Sequence, residues 1–196
     1  MSTQPNETDE RTLITRTLAG DDNAFSILVG THQTTVYNIA YRMVGQREVA
    51  QGLAQETFLR AFKALRTFDL NRPFGPWLYR IATNLSINWI RRARVPTVSL
   101  ETKSSRYEEE VEPLEIPDSS SEPATRFAQT EMQTELRQAI LALPPDYRAV
   151  IELRHFQEMD YEEMAETLKI PLGTVKTRLF RARRLLRDRL VPVLSQ

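Results

Sequence analysis

Apolar residues recur at intervals of three and four along Leu13 to Leu18, Ala24 to Val44, Val49 to Leu65, Trp77 to Ile90, Phe127 to Leu141 and Tyr147 to Phe156. This spacing lines one side of an α-helix, and alternating strand patterns are nearly absent, so an all-α fold is predicted. Between Val95 and Thr125 the periodicity stops, and proline, serine and acids replace it. Such a composition predicts a flexible acidic linker. The chain thus divides into an N-terminal tail (1–9), a small helical domain (10–94), the linker (95–125) and a second small helical domain (126–196). Each domain is of a size that forms one compact core with little to spare.

Residues 160–187 carry the sharpest local signal. Asp160 precedes an apolar pattern by one residue and Glu163 follows three later, a capping-box arrangement that starts a helix with Met164, Ala165 and Leu168 as its buried stripe. Pro171 lacks an N–H, which breaks that helix and suits the entry to another, beginning near Leu172. On the second helix Leu172, Val175, Leu179, Ala182 and Leu186 fall on one side and Lys176, Thr177, Phe180, Arg181 and Arg184 on the other. An arginine fork matches a guanine edge, threonine or phenylalanine meets a thymine methyl, and lysine holds phosphate. The pair predicts a helix-turn-helix that reads duplex DNA.

Net charge changes the picture only when resolved along the chain. Its overall value of zero conceals eight Lys/Arg against one acid over residues 60–94 and seven against one over 172–190, balanced by eight acids against two bases over 101–122. Two basic patches therefore face nucleic acid or acidic partners. With no cysteine and two distant histidines, His32 read as a surface residue and His155 at a helix end, no metal or cofactor is expected. No phosphate loop or nucleophile-base pair appears, so neither an enzyme nor a small-molecule substrate is expected. There is no run of about 18 apolar residues and no signal core, which predicts a cytoplasmic protein without direct membrane insertion. No regulatory domain is expected beyond Leu190.

The first basic patch has its own reading surface. Along the helix from Trp77, the residues Leu78, Ile81, Ala82, Leu85 and Trp89 form a buried stripe, leaving Trp77, Arg80, Asn84, Asn88 and Arg91 on the other side. An aromatic face stacks on any base for roughly 1–3 kcal/mol, while amides read base edges, so this row suits unstacked bases. Trp77 is equally suited to closing the top of a small core.

These segments together resemble the extracytoplasmic function (ECF) sigma factors of bacterial RNA polymerase. QETFLRAF resembles the family's core-polymerase-binding helix, PWLYRIATNLSINWIRR its minus 10 helix, and LPPDYRAVIELR, DYEEMAETL and PLGTVKTRLFRARRLL its minus 35 domain. The resemblance implies a dissociable initiation subunit, with core RNA polymerase and promoter DNA as partners and an anti-sigma factor, often membrane-tethered, occluding its surfaces. By position, Thr174, Lys176, Thr177, Phe180, Arg181 and Arg184 would serve the minus 35 duplex. Asn84, Asn88 and Arg91 would face the minus 10 strand with Trp77 and Arg80 in support. Phe68, Asp69, Leu70, Asn71 and Arg72 would form a pocket for an extruded base, whose flipping costs a few kcal/mol. Gln55, Glu56, Phe58, Leu59 and Arg60 would meet polymerase. The family usually carries acids just before the QE pair, where this chain has Val49, Gln51 and Gly52.

Promoter elements about 25 base pairs apart lie about 85 Å apart on B-DNA, whereas a free linker of this length spans about 30 Å as a coil and about 100 Å fully extended. Polymerase must therefore hold the domains apart. The linker acids Glu108, Glu109, Glu110, Glu112, Glu115 and Asp118 would mimic nucleic acid or shield the basic helices, or serve as a soluble spacer. The residues leave one rival open, a helix-turn-helix regulator that acts without joining polymerase.

Overall fold

In a computed structural model the chain is described over residues 6–94 and 123–194, with side chains over 10–93 and 132–191. The linker acids named above lie outside the described residues. Eight α-helices occur among the described residues: α1 (Asn6–Leu18), α2 (Asp22–Val44), α3 (Arg47–Ala64), α4 (Phe74–Arg94), α5 (Pro123–Ala142), α6 (Pro145–His155), α7 (Tyr161–Leu168) and α8 (Leu172–Leu194), with a 3-10 turn at Leu65–Thr67. No strand occurs among the described residues.

Local chemistry sets the helix ends. Asp21 accepts from the backbone N–H groups of Asn23 and Ala24, satisfying two orphan donors at the start of α2. Gly45, at φ 81°, closes α2 by donating to the Tyr41 carbonyl. Pro145 opens α6, where its missing N–H has no intrahelical role. Asp160 and Glu163 form the reciprocal capping box of α7, each at 2.7 Å, and Lys169 ends that helix in the left-handed region at φ 53°.

Two cores result. Leu28, Val36, Ile39 and Met43 of α2 pack with Phe58 and Ala61 of α3 and Phe74, Leu78 and Ala82 of α4. Val150 and Leu153 of α6 pack with Met164 of α7 and Val175, Leu179 and Ala182 of α8. Thr167 is buried beside Met164, while Ala165 and Leu168 are half-buried, so the α7 stripe is rotated slightly from expectation.

Two expectations change. His32 is buried, not on the surface, because α1 and α4 close over it: Nε2 lies 2.8 Å from Glu10 and Nδ1 lies 3.3 Å from the Tyr79 hydroxyl. Helix α4 buries Thr83, Ser86, Ile87 and Ile90 in addition to the expected stripe, where Ile81 and Trp89 are only half-buried. At about 100° per residue these positions extend the buried arc past half the circumference. The remaining open strip is therefore narrow, and it is the one holding Arg80, Asn84, Asn88 and Arg91.

The domains touch. Ala149 of α6 joins the core of the first domain, and Tyr79 of α4 packs against both cores.

Candidate nucleic-acid interface

Helix α8 presents its polar side openly. Burial of Val175, Leu179 and Ala182 against α6 and α7 orients the helix, so Lys176, Thr177, Phe180, Arg181 and Arg184 are all exposed. Phe180 is 69% exposed, an unusual setting for an aromatic in a small core-limited domain. The Thr177 hydroxyl donates to the Gly173 carbonyl at 2.8 Å, and the residue is exposed. Thr174 is half-buried at the rim of a groove shared with Asp146, Tyr147, Arg178 and Arg181. Arg183 and Arg187 border a second groove with Lys176 and Phe180 and belong to the same surface. The helical wheel that selected Lys176 and Phe180 contains them, at about 100° per residue, so their signal was present in the sequence.

On α4 the exposed strip carries Asn84, Asn88 and Arg91, with Arg80 half-buried at its edge. Trp77 is half-buried: its ring lies 5.0 Å from that of Phe68 and 5.5 Å from that of Phe74, whose side chain is fully in the core. Trp77 therefore caps the core while also lining a surface groove. Phe68 packs beneath in the same aromatic group, 5.6 Å from Phe74, and anchors the loop that follows. In that loop the Asp69 carboxylate accepts from the Asn71 backbone N–H at 3.0 Å and from its side-chain amide at 3.1 Å, while the Arg72 N–H donates to the Asp69 carbonyl. This Asx-type turn leaves Leu70, Asn71 and Arg72 exposed.

The basic surface of the first domain meets the second domain at acids. Arg91 pairs with Asp146 at 2.9 Å and Arg72 with Glu166 at 2.9 Å. Asp146 also lies 3.5 Å from Arg178.

The α3 face separates into two parts. Leu59 is 56% exposed, and Gln55 and Arg60 are also open, with Glu56 accepting from Arg60 at 2.7 Å. Phe58, expected among the contact residues, is instead buried in the first core, because its position falls on the side of α3 that faces α2 and α4. Phe62, which was missed, is exposed one turn after Leu59, its ring edge-on to Phe25 at 4.9 Å. Helix α3 runs unbroken through Gly52, with Gln51 and Gly52 exposed.

His155 ends α6, where burial first, then Arg183 and Arg154, push its imidazole below the ordinary histidine value. Among the described residues no group of three or more His, Cys, Asp or Glu is placed to hold a metal ion. No described helix is long and apolar enough to cross a membrane.

Comparison with known proteins finds a family match in each domain. Residues 28–95 match the model of Sigma-70 region 2, and residues 133–186 match that of Sigma-70, region 4. The ECF RNA polymerase sigma factor SigW of Bacillus subtilis is 39% identical over 171 residues, covering 87% of this chain and 91% of that protein. The RNA polymerase sigma-H factor of Pseudomonas aeruginosa is 33% identical over 189 residues, covering 95% and 96%. Among solved structures, CnrH in complex with the cytosolic domain of CnrY superposes with a TM-score of 0.66 at 24% identity, covering 94% of this chain and 98% of that one. The sigma factor RpoE of Bartonella quintana, solved with the anti-sigma factor NepR, gives 0.63 at 20% identity, covering 85% and 96%. At those identities the two structures establish the fold, whereas the family matches and the relatives establish kinship: the chain belongs to the ECF group of sigma-70 family sigma factors, the promoter-recognising subunits of bacterial RNA polymerase.

Proposed function

We propose that this chain joins core RNA polymerase and reads a promoter at two points. The α8 face of Lys176, Thr177, Phe180 and Arg181, flanked by Thr174 and Arg184, takes the minus 35 element as duplex. The α4 strip of Arg80, Asn84, Asn88 and Arg91 takes the minus 10 element as a melted strand, with Trp77 offering a stacking edge. The turn from Phe68 to Arg72 shapes a pocket for an extruded base, Phe68 as its anchor from below and Leu70, Asn71 and Arg72 at its rim. Gln55, Glu56, Leu59 and Arg60 of α3, extended by Phe62, dock on polymerase, while Phe58 holds that helix in place. The chain acts in the cytoplasm by binding rather than by catalysis, and an anti-sigma factor is its natural antagonist, as NepR is solved with RpoE.

One observation carries this reading: an aromatic with 69% exposure sits among guanidinium groups on one domain, while the other domain leaves only an amide-and-arginine strip open on a helix otherwise buried. Duplex readout and single-strand readout need these two different surfaces. The test is transcription by core polymerase reconstituted with the chain, on a promoter selected by that holoenzyme from a randomised pool. Asn84→Ala is expected to retain upstream duplex binding and lose open-complex formation by permanganate footprinting. Duplex binding without polymerase-dependent initiation would reject the proposal in favour of a free-standing regulator.

A further inference from the structure

The turn that ends at Arg72 has two sides. One faces the groove of about 390 Å³ that also carries Trp77 and Arg80. The other faces α1 across a smaller hollow of about 160 Å³, and Arg72 and Pro73 line both. The smaller hollow is lined entirely by the first domain. Glu10 and Arg11 of α1 form its far wall, and Ile14 and Phe74, each only 1% exposed, form its floor. Ile14 follows Glu10 by four residues, so a single face of α1 supplies wall and floor. Phe74 also meets Phe68 and Trp77, so one aromatic group underlies the two hollows.

Glu10 is held in place from behind. The Nε2 of His32 stands 2.8 Å from Glu10 Oε1, Nδ1 stands 3.3 Å from the Tyr79 hydroxyl, and the imidazole meets Phe74 edge-on at 5.5 Å. The side chains of His32 and Glu10 are 9% and 14% exposed. Fastening α1 to α2 does not call for such a pair, because apolar side chains of similar volume do it as well or better. A carboxylate offers about four acceptor sites, so a bond to His32 leaves acceptor capacity toward the hollow. Asn71, on the wall formed by the turn, adds to it: its amide nitrogen donates to Asp69 at 3.1 Å, which leaves the amide carbonyl oxygen to serve a ligand.

Size and chemistry select one kind of occupant. A cavity of about 150 Å³ takes up a benzene ring, so this hollow matches a single six-membered ring better than a fused purine. Carboxylate and carbonyl oxygens accept from the exocyclic amine of cytosine, whereas thymine presents an oxygen at the same position. The exposed guanidinium groups of Arg11 and Arg72 flank the hollow, where they can hold the phosphates of a strand. We propose that the hollow between α1 and the turn is a second base subsite, which takes a cytosine extruded from the melted strand beside the base held on the Trp77 side. Glu10 reads the amine, and His32 is a positioning residue that fixes Glu10. This rests on the strand-binding role proposed above for α4 and the turn.

The test uses holoenzyme assembled from the full chain and core polymerase, on the selected promoter with its melted region preformed as a bubble. Each non-template position of the bubble carries cytosine, thymine, adenine, guanine or an abasic site in turn, and affinity is read by competition against a fluorescent bubble. Wild type is expected to show one position, distinct from those whose preference Asn84→Ala changes, where cytosine binds about tenfold more tightly than thymine. Glu10→Gln, which can offer thymine a donor, is expected to make cytosine and thymine about equal at that position and to leave preferences elsewhere unchanged. His32→Leu is expected to do the same. His32→Gln, whose side-chain amide can still donate to Glu10, is expected to keep the preference for cytosine.

A wild-type scan without such a position overturns the proposal, and that scan does not depend on the folding of any variant. A cytosine preference that survives Glu10→Gln overturns it as well. So does a Glu10→Gln holoenzyme weakened equally at every position, which is the result expected if the His32 pair merely seats α1. When any of these occurs in a holoenzyme whose Asn84→Ala variant fails to open the promoter, the second subsite falls and the strand-binding role of α4 stands. A chain that does not initiate with polymerase, or whose Asn84→Ala variant melts promoters normally, removes that role and the subsite with it.

Discussion

Two neighbours on α8 should behave in opposite ways. Leu179 is 2% exposed and packs among Val150, Leu153, Met164 and Val175, whereas Phe180 is 69% exposed. Leu179→Ala removes three buried carbons and leaves a cavity that rigid neighbours fill only in part, a change of about 3–4 kcal/mol. In a domain of this size that lowers the melting midpoint by roughly 15–25 °C. Phe180→Ala removes little that the free protein uses, so its stability should stay within about 0.5 kcal/mol of wild type. Taking roughly 200 Å² for the side chain, about 140 Å² of Phe180 remains for a partner to cover, a ceiling near 3.5 kcal/mol at about 25 cal/mol per Å². If a groove covers about half of that, duplex binding should weaken about 10- to 30-fold. Circular dichroism melts and fluorescence anisotropy on the selected promoter duplex measure both quantities. A Phe180→Ala melt as depressed as that of Leu179→Ala would refute the assignment of faces, and unchanged duplex affinity would refute the reading role.

Three further outcomes follow from the helix ends. Asp160→Ala deletes one half of the α7 capping box and should lower the stability of the second domain by about 1 kcal/mol in thermal denaturation. Gly45→Ala places a Cβ on a left-handed residue facing Leu141, a cost of about 1–2 kcal/mol from the backbone alone, visible in the same melts. The Arg16 guanidinium, aided by the Ala24 and Asn23 N–H groups, holds the Asp21 carboxyl below its ordinary value against the opposing effect of desolvation. A depressed carboxyl stabilises above its unfolded value and loses that contribution as pH falls through its folded one. Asp21→Asn, which keeps a capping oxygen without the charge, should therefore be less stable than wild type near neutral pH and equal to it once acid has protonated the carboxyl.

Most helix positions were legible because their causes are local. Asp160 with Glu163, Pro171 and the spacing from Val175 to Ala182 state a start, a stop and a face within a few residues of chain. Phe58 was harder, since the motif that contains it carries the resemblance to a polymerase-binding segment but does not say which side of α3 faces α2 and α4. His32 was misjudged because its partners Glu10 and Tyr79 lie 22 and 47 residues away. Serine and threonine were left out of the expected α4 stripe: Thr83 and Ser86 are fully buried, and the Ser86 hydroxyl is satisfied by the Ala82 carbonyl of its own helix at 2.8 Å. Polarity by itself therefore did not mark a solvent face there.

By itself the sequence determined the all-α class, the capped α7 and the basic face of α8, because hydrogen bonds within a helix and a period near 3.6 residues are properties of neighbouring residues. The meeting of the two domains was decided only in three dimensions. Arg42 with Glu152, Arg91 with Asp146 and Arg72 with Glu166 join residues 110, 55 and 94 positions apart. No periodicity links such pairs; they form because the end of α2 presents carbonyls and an arginine where α6 presents an arginine and a buried acid.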